Sequence, residues 1–277
     1  MRVFVSVDME GISGIISPDY VTPEKKFYEE GKKLMLHDTL AVVEKTLEMG
    51  AEEVIINDSH GYMDNLTVSS FPEKTKLIIG SPKPLSMLQG VEECNLAFFV
   101  GYHSGIGTPY AIMEHSYSSA TVYNLKINGE YMNEVYINSL IAGYFNVPVA
   151  FVSGDETTTK HASKILENVI TVSVKKAISR TSALCLPLSE TKKLLQEGVE
   201  RVFEIYRKDP NTFKPKRLSP PYTFEIEFLN TQMADAVSIH PDVKRLDGRR
   251  IFFQRDDLLE AYNLFRILLI VARNSVF

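Results

Sequence analysis

The sequence of 277 residues has no tryptophan and only two cysteines, Cys94 and Cys185. Two cysteines far apart in the sequence argue against a disulfide framework, and we expect both to be reduced packing residues. No apolar run has the length that a membrane span needs, because Arg266 interrupts the longest candidate, residues 264–273. Positive charge is in the minority: the formal net charge is −5, which argues against nucleic acid or an anionic membrane as the main partner.

The remaining composition is that of an ordinary globular protein, with 44% hydrophobic and 23% charged residues. The chain starts with an apolar segment rather than a signal-peptide layout, so we expect a cytoplasmic protein. The length allows one large domain or two modest ones. Because the pattern of elements changes after residue 168, we predict a metal-binding catalytic α/β portion over residues 1–168. We also predict a smaller C-terminal α+β portion over residues 169–277. The two portions together are compatible with one continuous domain.

Short apolar runs alternate with helical segments through the first half of the chain. A helix is predicted over residues 23–49, with Thr22 as its cap and Pro23 in its first turn, and a strand follows it. This strand–helix–strand order predicts parallel strands, so the expected fold class is α/β with a mostly parallel sheet flanked by helices. Strands are predicted at residues 2–7, 53–56, 76–79, 96–100, 121–127, 147–152, 169–174, 224–228 and 250–253, and further helices at 132–145, 190–207 (capped by Ser189) and 256–273.

Two carboxylates follow the first strand directly, in the stretch Asp8-Met9-Glu10-Gly11. In an extended chain, side chains two positions apart lie on the same face, so Asp8 and Glu10 are expected side by side. Carboxylates this close repel each other unless a positive charge lies between them. A divalent cation is the natural candidate for that charge.

Ligand-type side chains also follow two other predicted strands: His60 comes after the second and His103 after the fourth. The carboxyl ends of parallel strands meet at one edge of the sheet, where ligands bind. Glu134, in the first turn of a predicted helix, completes a set of imidazoles and carboxylates that suits zinc. Two ions are accommodated if one carboxylate bridges them, and the ligand candidates are Asp8, Glu10, His60, His103 and Glu134.

His115 has no evident structural partner in the sequence and is the candidate for a spare acid/base or nucleophile. Each candidate, taken singly, also has a structural explanation. Asp8 and Glu10 can cap a turn, a loop histidine can bond to backbone, and Glu134 can interact with the helix dipole. Asp155 can cap the helix that follows it. The functional interpretation rests on several separate strands that end in ligand-type residues together.

The candidates lie in short blocks of sequence. The first block, Ser6-Val7-Asp8-Met9-Glu10-Gly11, matches the Ser-x-Asp-x-Glu-Gly signature of the zinc-dependent D-aminopeptidases of the bacterial dipeptide-transport (DppA) type, a family that the chain resembles. The later blocks follow in that family's order and are Asn57-Asp58-Ser59-His60-Gly61, Gly101-Tyr102-His103-Ser104, Glu114-His115-Ser116, Asn133-Glu134 and Ser153-Gly154-Asp155. The resemblance covers residues 1–155 closely and the remainder loosely.

The resemblance implies a zinc-dependent aminopeptidase that uses metal-activated water to hydrolyse short peptides with an N-terminal D-amino acid, such as D-alanyl-D-alanine. It also implies a homo-oligomer, a decamer in the family, and His115 as the catalytic residue. Two zinc ions per subunit are implied, bridged by Asp8, with ligation completed by Glu10, His60, His103 and Glu134.

Two further carboxylates, Glu114 and Asp155, are candidates for holding the free α-amino group of the substrate. Two alternatives to the aminopeptidase stay open at this point. One is a metal-dependent amidohydrolase that acts on a non-peptide amide. The other is a non-catalytic peptide-binding protein, which would purify without metal and whose thermal stability would not respond to a chelator.

Overall fold

The structure, a computed structural model, describes residues 1–276. In this range the strands are β1 Arg2–Val7, β2 Glu53–Asp58, β3 Thr75–Ile78, β4 Leu96–Tyr102, β5 Val122–Ile127, β6 Glu130–Tyr131, β7 Val149–Asp155, β8 Ile170–Ser179, β9 Ser182–Cys185, β10 Tyr222–Phe228, β11 Lys244–Arg245 and β12 Arg250–Arg255. The α-helices are α1 Pro18–Val21, α2 Tyr28–Glu48, α3 Glu134–Tyr144, α4 Glu156–Ile165, α5 Leu188–Lys208, α6 Thr231–Val237 and α7 Leu258–Asn274. Short 3₁₀ turns lie at Val68–Ser70, Ser86–Leu88 and Val91–Glu93.

The larger sheet has seven strands in the order β3-β2-β1-β4-β7-β8-β9. Its neighbouring strands run parallel, except in the antiparallel β8–β9 hairpin. The chain changes direction across the sheet between β1 and β4, since β2 and β3 extend it on one side and β7 and β8 on the other. Such a reversal leaves a crevice outside the carboxyl ends of the two strands, where open α/β sheets bind ligands.

Both faces of this sheet are covered by apolar side chains. On one face, Val3, Val5 and Val7 of β1 pack with buried residues of α2 and α5. On the other face, Phe4 and Phe99 pack in a second core that includes buried residues of α3 and α7. Since the central strand β1 is buried on both faces, its carboxyl end has a fixed position at the side of the sheet where the parallel strands end.

The smaller sheet is antiparallel, with five strands in the order β11-β12-β10-β5-β6. Along β10 the residues Phe224, Ile226 and Phe228 are buried, while the intervening glutamates are partly exposed, as the alternation in the sequence predicts. The buried face of this sheet packs on α7, and the rings of Phe224 and Phe253 stack at 5.1 Å. The sheet therefore extends the core on the side of α3 and α7.

The predicted fold class is confirmed, because a largely parallel sheet is flanked by helices. The division of the chain at residue 168 stays a prediction. Both sheets take strands from both predicted portions: β8 pairs with β7, and β10 pairs with β5. None of the helices within residues 1–276 is long and apolar enough to cross a membrane.

In the range predicted as one helix, residues 23–49, helix α2 begins only at Tyr28, and the short helix α1 ends before this range, at Val21. Thr22 follows the last residue of α1 rather than capping α2, and Pro23 lies outside both helices. The backbone of Glu24 has φ of 67°, which a right-handed helix does not accept. The prediction that one helix spans this range is therefore wrong at its start.

Two smaller predictions need correction. Helix α5 begins at Leu188 with Pro187 in the capping position, so Ser189 is already helical and does not cap it. The carbonyl of Pro187 accepts the N–H groups of Glu190 and Thr191, which replaces the predicted serine cap. Of the two unpaired cysteines, Cys94 is buried as expected, whereas Cys185 is exposed at the end of β9 and has no packing role.

The proline-rich connector, residues 209–221, packs tightly against α3. A Cβ atom added at Gly143 would lie 1.8 Å from the carbonyl oxygen of Lys216, far inside van der Waals contact. The guanidinium of Arg217 also donates to the Gly143 carbonyl at 3.3 Å. Glycine is required here by the close approach of two backbone segments.

We therefore expect Gly143→Ala to lower the free energy of unfolding by about 1–3 kcal/mol, because the connector must move away from α3. Urea unfolding followed by circular dichroism measures the change. Gly248→Ala is the matched control, since the nearest atom to its added Cβ is a side-chain methyl at 3.5 Å. Equal unfolding midpoints for the two variants would contradict the packing described.

Candidate metal centre

Ligand-type side chains from separate elements converge outside the carboxyl ends of β1 and β4. Asp8 directly follows β1, His103 directly follows β4, and Glu134 is the first residue of α3. His60 comes two residues after β2. Most of these side chains are buried, and the relative exposures are 3% for Asp8, 6% for Glu10, 1% for His103 and 4% for Glu134. The structure thus brings together the residues that the sequence selected.

The cluster has two halves that share Asp8. In one half, the Nδ1 atom of His60 lies 3.1 Å from Asp8 Oδ1 and 3.1 Å from Glu10 Oε2. In the other half, the Nε2 atom of His103 lies 3.4 Å from Asp8 Oδ2 and 3.2 Å from Glu134 Oε1. Asp8 therefore turns one carboxylate oxygen towards each half, the arrangement that a bridging ligand needs.

His115 lies at the border of the second half. Its Nε2 atom is 3.6 Å from Glu134 Oε1, and its ring stacks on that of His103 with centroids 4.0 Å apart and an interplanar angle of 16°. His115 therefore lies beside the half that contains His103 and Glu134, and not beside the half that contains His60.

Backbone carbonyls fix the orientation of the three imidazoles. The outer ring nitrogens donate to carbonyl oxygens: His60 Nε2 to Val21 at 2.7 Å, His103 Nδ1 to Ser104 at 2.9 Å and His115 Nδ1 to Met113 at 2.9 Å. Each ring therefore directs its inner nitrogen towards the carboxylates. This is the outer hydrogen bonding that metal-ligating histidines use to set their tautomer.

Two buried atoms in the middle of the cluster lack hydrogen-bond partners among residues 1–276, namely Asp8 Oδ2 and His103 Nε2. These acceptors face each other at 3.4 Å, and that arrangement is unfavourable unless a proton or a metal ion lies between them. Two sets of three ligand atoms lie within 4.8 Å of one another: one from His103, His115 and Glu134, the other from Asp8, Glu10 and His103. The donor set of carboxylate and imidazole fits zinc.

The charges of the carboxylates are strongly coupled to their surroundings. Burial, followed by the nearby Glu10 carboxylate, raises the pKa of Asp8 to about 7. Burial also opposes ionisation of Glu10, but the His60 imidazole beside it holds the pKa of Glu10 well below its usual range. Positive charge next to these carboxylates is therefore needed to keep them ionised.

The imidazoles respond in the opposite direction. Burial disfavours their charged form, yet the Glu10 and Asp8 carboxylates raise the pKa of His60 well above its ordinary value. Glu134 and Asp8 do the same for the pKa of His103. His115 differs, since burial and the adjacent His103 lower its pKa. In the protein without metal, protons on His60 and His103 supply the positive charge, and metal binding displaces them.

The loop after β1 reaches this position because it packs directly on the end of β4. The Asp8 N–H donates to the Val100 carbonyl at 2.9 Å, and the Gly11 N–H donates to the Gly101 carbonyl at 2.8 Å. A Cβ atom at Gly11 would lie 2.0 Å from the carbonyl oxygen of Tyr102. The glycine that ends the first sequence block is therefore required for Asp8 and His103 to meet.

A buried polar network beneath the centre was not predicted from the sequence. The Ser6 hydroxyl bonds to the Tyr102 hydroxyl at 2.8 Å and to the Ser59 hydroxyl at 2.7 Å, and the Asn138 amide donates to Tyr102 at 3.1 Å. These bonds join the ends of β1, β2 and β4 to α3. The sequence did carry a signal for this network, because Ser6, Ser59 and Tyr102 lie inside the short sequence blocks that contain the ligand candidates.

The two carboxylates predicted to hold the substrate amine have protein partners. Both oxygens of Asp155 accept backbone N–H groups, from Ile112 and Thr158, both at 2.8 Å, which confirms that Asp155 caps α4. Glu114 pairs with the guanidinium of Arg180 at 3.0 Å. Contact of either carboxylate with substrate stays a prediction.

A cavity of about 450 Å³ lies between α4, the β5–β6 hairpin and the loop after β4. Its lining includes Ser116 and Asn133, which are the direct chain neighbours of His115 and Glu134. Lys164 and His161 of α4 contribute polar groups to the opposite wall. The volume is in the range of small-molecule binding sites.

Comparison with known proteins agrees with this geometry. A sequence model of the Peptidase_M55 family, described as D-aminopeptidase, matches residues 1–267. A D-aminopeptidase of Bacillus subtilis (strain 168) is 35% identical over 281 residues, which covers 100% of both chains. A solved structure, that of the Zn-dependent D-aminopeptidase DppA from Bacillus subtilis, a self-compartmentalizing protease, matches with a TM-score of 0.94 and 33% identity over 100% of both chains. The resemblance in the sequence blocks is confirmed, and the chain belongs to the Peptidase_M55 family of D-aminopeptidases.

Proposed function

We propose that this protein is a zinc-dependent aminopeptidase that hydrolyses short peptides with an N-terminal D-amino acid, such as D-alanyl-D-alanine. The observation that carries the proposal is the pair of half-sites that share the two oxygens of Asp8. Membership of a D-aminopeptidase family and the 0.94 TM-score to a Zn-dependent relative support the metal and the reaction together. The two buried atoms without hydrogen-bond partners, Asp8 Oδ2 and His103 Nε2, also support a metal, because carboxylate and imidazole are ligands that zinc accepts.

Two zinc ions per subunit are the proposed cofactors. One would be held by Asp8, Glu10 and His60, and the other by Asp8, His103 and Glu134. The burial of these carboxylates supports the number, because Asp8, Glu10 and Glu134 bring three negative charges into one small space. Zinc suits such a centre because it accepts imidazole and carboxylate together.

Bound zinc supplies Lewis acidity, which polarises the scissile carbonyl and lowers the pKa of water near it. His115 is proposed to move the proton. Because burial and His103 lower the pKa of His115, its imidazole is neutral at neutral pH. Its Nε2 atom faces the centre, so it can accept the proton of the attacking water and pass it to the leaving amide nitrogen.

The substrate is proposed to lie against the cavity described above. Its volume of about 450 Å³ accommodates a short peptide, and two of its lining residues, Ser116 and Asn133, are the chain neighbours of His115 and Glu134. Glu114 is the proposed partner of the free α-amino group. In that role the amine would share the carboxylate with Arg180, which already pairs with it.

A homo-oligomer, specifically a decamer, and a cytoplasmic location are also part of the proposal. The self-compartmentalizing character of the related DppA protease supports assembly of several subunits. The number of subunits rests on the resemblance of the sequence blocks.

Substitution of a ligand tests the centre. We expect His60→Ala and His103→Ala to lose bound zinc and to lower kcat/KM by more than about 100-fold, the upper end of the cost of removing an outer partner of a ligand. Metal analysis and peptide hydrolysis measure the two effects. His240→Ala is the control, since its ring bonds only locally to the Asp242 N–H. Wild-type zinc content and turnover in both ligand variants would overturn the metal assignment.

A different result is expected for His115→Ala, because His115 acts on protons and is not a proposed ligand. This variant should keep the zinc content of the wild type while kcat falls by about 10²–10⁴-fold, the range that general acid–base groups contribute. Loss of zinc together with activity would instead make His115 a ligand.

The stereochemistry of the substrate is tested with D-alanyl-D-alanine and L-alanyl-L-alanine, each assayed with added zinc and with a chelator. We expect zinc-dependent cleavage of the D-peptide alone. Cleavage confined to the L-peptide would keep the metal chemistry and refute the substrate. A non-peptide amide cleaved in preference to both would make the protein an amidohydrolase.

A further inference from the structure

A lysine that the proposed chemistry does not use lies buried behind the metal centre. Lys175 belongs to β8, in the C-terminal part of the chain, and only 2% of it is exposed. The next residue, Lys176, points to the other face of the sheet, and its side chain is 67% exposed. A buried lysine without a carboxylate in hydrogen-bond contact is uncommon, since burial of an ammonium group is costly.

The ammonium group of Lys175 binds one short segment of backbone. It donates to the carbonyl oxygens of Glu10 and Ile12, each at 2.7 Å, and to that of Ile15. These three carbonyls belong to the segment between β1 and α1, residues 8–15, which we call the Glu10 loop. An ammonium has three N–H donors, and all three are used.

The same loop is held from the opposite direction by α2. The Asp38 carboxylate accepts both the backbone N–H and the hydroxyl of Ser13, each at 2.9 Å. Asp38 is fully buried. The loop therefore lies between a buried cation that takes its carbonyls and a buried anion that takes its N–H group, and the two opposite charges offset each other.

We propose that Lys175 is a positioning residue of the metal centre, which fixes the Glu10 loop so that Asp8 and Glu10 both face the ions. This inference rests on the proposed function, because it concerns the same ions. Glu10 reaches the centre from a turn rather than from the regular end of β1, so the strand alone does not fix its direction. The bond to the Glu10 carbonyl fixes the backbone of that residue directly.

A side chain that only filled the core would not need three hydrogen bonds to the carbonyls of a single loop. An apolar side chain at this position would leave those three buried carbonyls without a donor, which is costly. The three bonds to one short loop therefore favour a role in holding the loop over a role in filling the core.

The test compares Lys175→Met with Lys176→Met, a matched control on the adjacent, exposed position of the same strand. Zinc affinity is measured on the metal-free proteins by competition with a chromophoric chelator, and the melting temperature is measured with and without zinc. We expect Lys175→Met to bind zinc about 10–100-fold more weakly, the usual cost of losing an outer partner. Its metal-free melting temperature should fall, because three buried carbonyls lose their donor, so zinc affinity is measured at a temperature where the metal-free variant is folded. Lys176→Met should match the wild type throughout.

Three results would overturn the proposal: unchanged zinc affinity in Lys175→Met, an equal loss in Lys176→Met, or an equal loss in Gly143→Ala, which destabilises the fold through a contact away from the Glu10 loop. If Lys175→Met does not fold, Lys175→Gln takes its place, because its amide keeps two donors, and the same readouts apply. Failure of the proposed function is recognised separately in the wild type, which would then bind no zinc. Zinc binding and D-peptide cleavage by the wild type, with unchanged affinity in the variant, would refute the role of Lys175 alone.

Discussion

The strongest constraint on the metal centre is the mutual repulsion of three carboxylates that the fold buries close together. Asp8, Glu10 and Glu134 are each at most 6% exposed, and imidazole nitrogens stand between them. Two unit charges 4 Å apart repel by about 4 kcal/mol at an effective dielectric constant of about 20, a large share of the stability of a domain. Cations near the carboxylates compensate this repulsion. In the metal-free protein, the same need for positive charge raises the pKa values of His60 and His103.

The position of the centre follows from the topology of the sheet. The direction of the chain reverses between β1 and β4, and the loop after β1 packs against the end of β4 through the bonds of Asp8 and Gly11 to that strand. Because both strands are covered on both faces, their carboxyl ends are rigid. A metal centre needs ligands fixed to within a fraction of an ångström, and this edge of a buried parallel sheet supplies that precision.

The parallel sheet and the ligand candidates could be predicted because both depend on local patterns. Apolar runs that end in Asp8, His60 or His103 predict strands and place their polar ends at one edge. The anchors of the Glu10 loop could not be predicted in the same way. Lys175 and Lys176 are adjacent on a strand and therefore lie on opposite faces, and the sequence alone does not tell which of the two faces is buried. The start of α2 at Tyr28 rather than at residue 23 was missed for a similar reason, because it depends on the left-handed backbone of Glu24.

The C-terminal part of the chain also donates hydrogen bonds to segments near the metal centre. β8 supplies Lys175 to the Glu10 loop, and α7 supplies Arg266, whose guanidinium donates to the carbonyls of Lys83 and Pro84, both at 2.6 Å. Lys83 in turn donates to the carbonyl of Asp58 at 2.6 Å, two residues before His60. The half of the metal centre that contains Glu10 and His60 is thus braced by two lysines, Lys175 and Lys83, and both donate to backbone carbonyls rather than to the ligand side chains. Backbone contacts of this kind fix a ligand's position and leave its carboxylate or imidazole free for the metal.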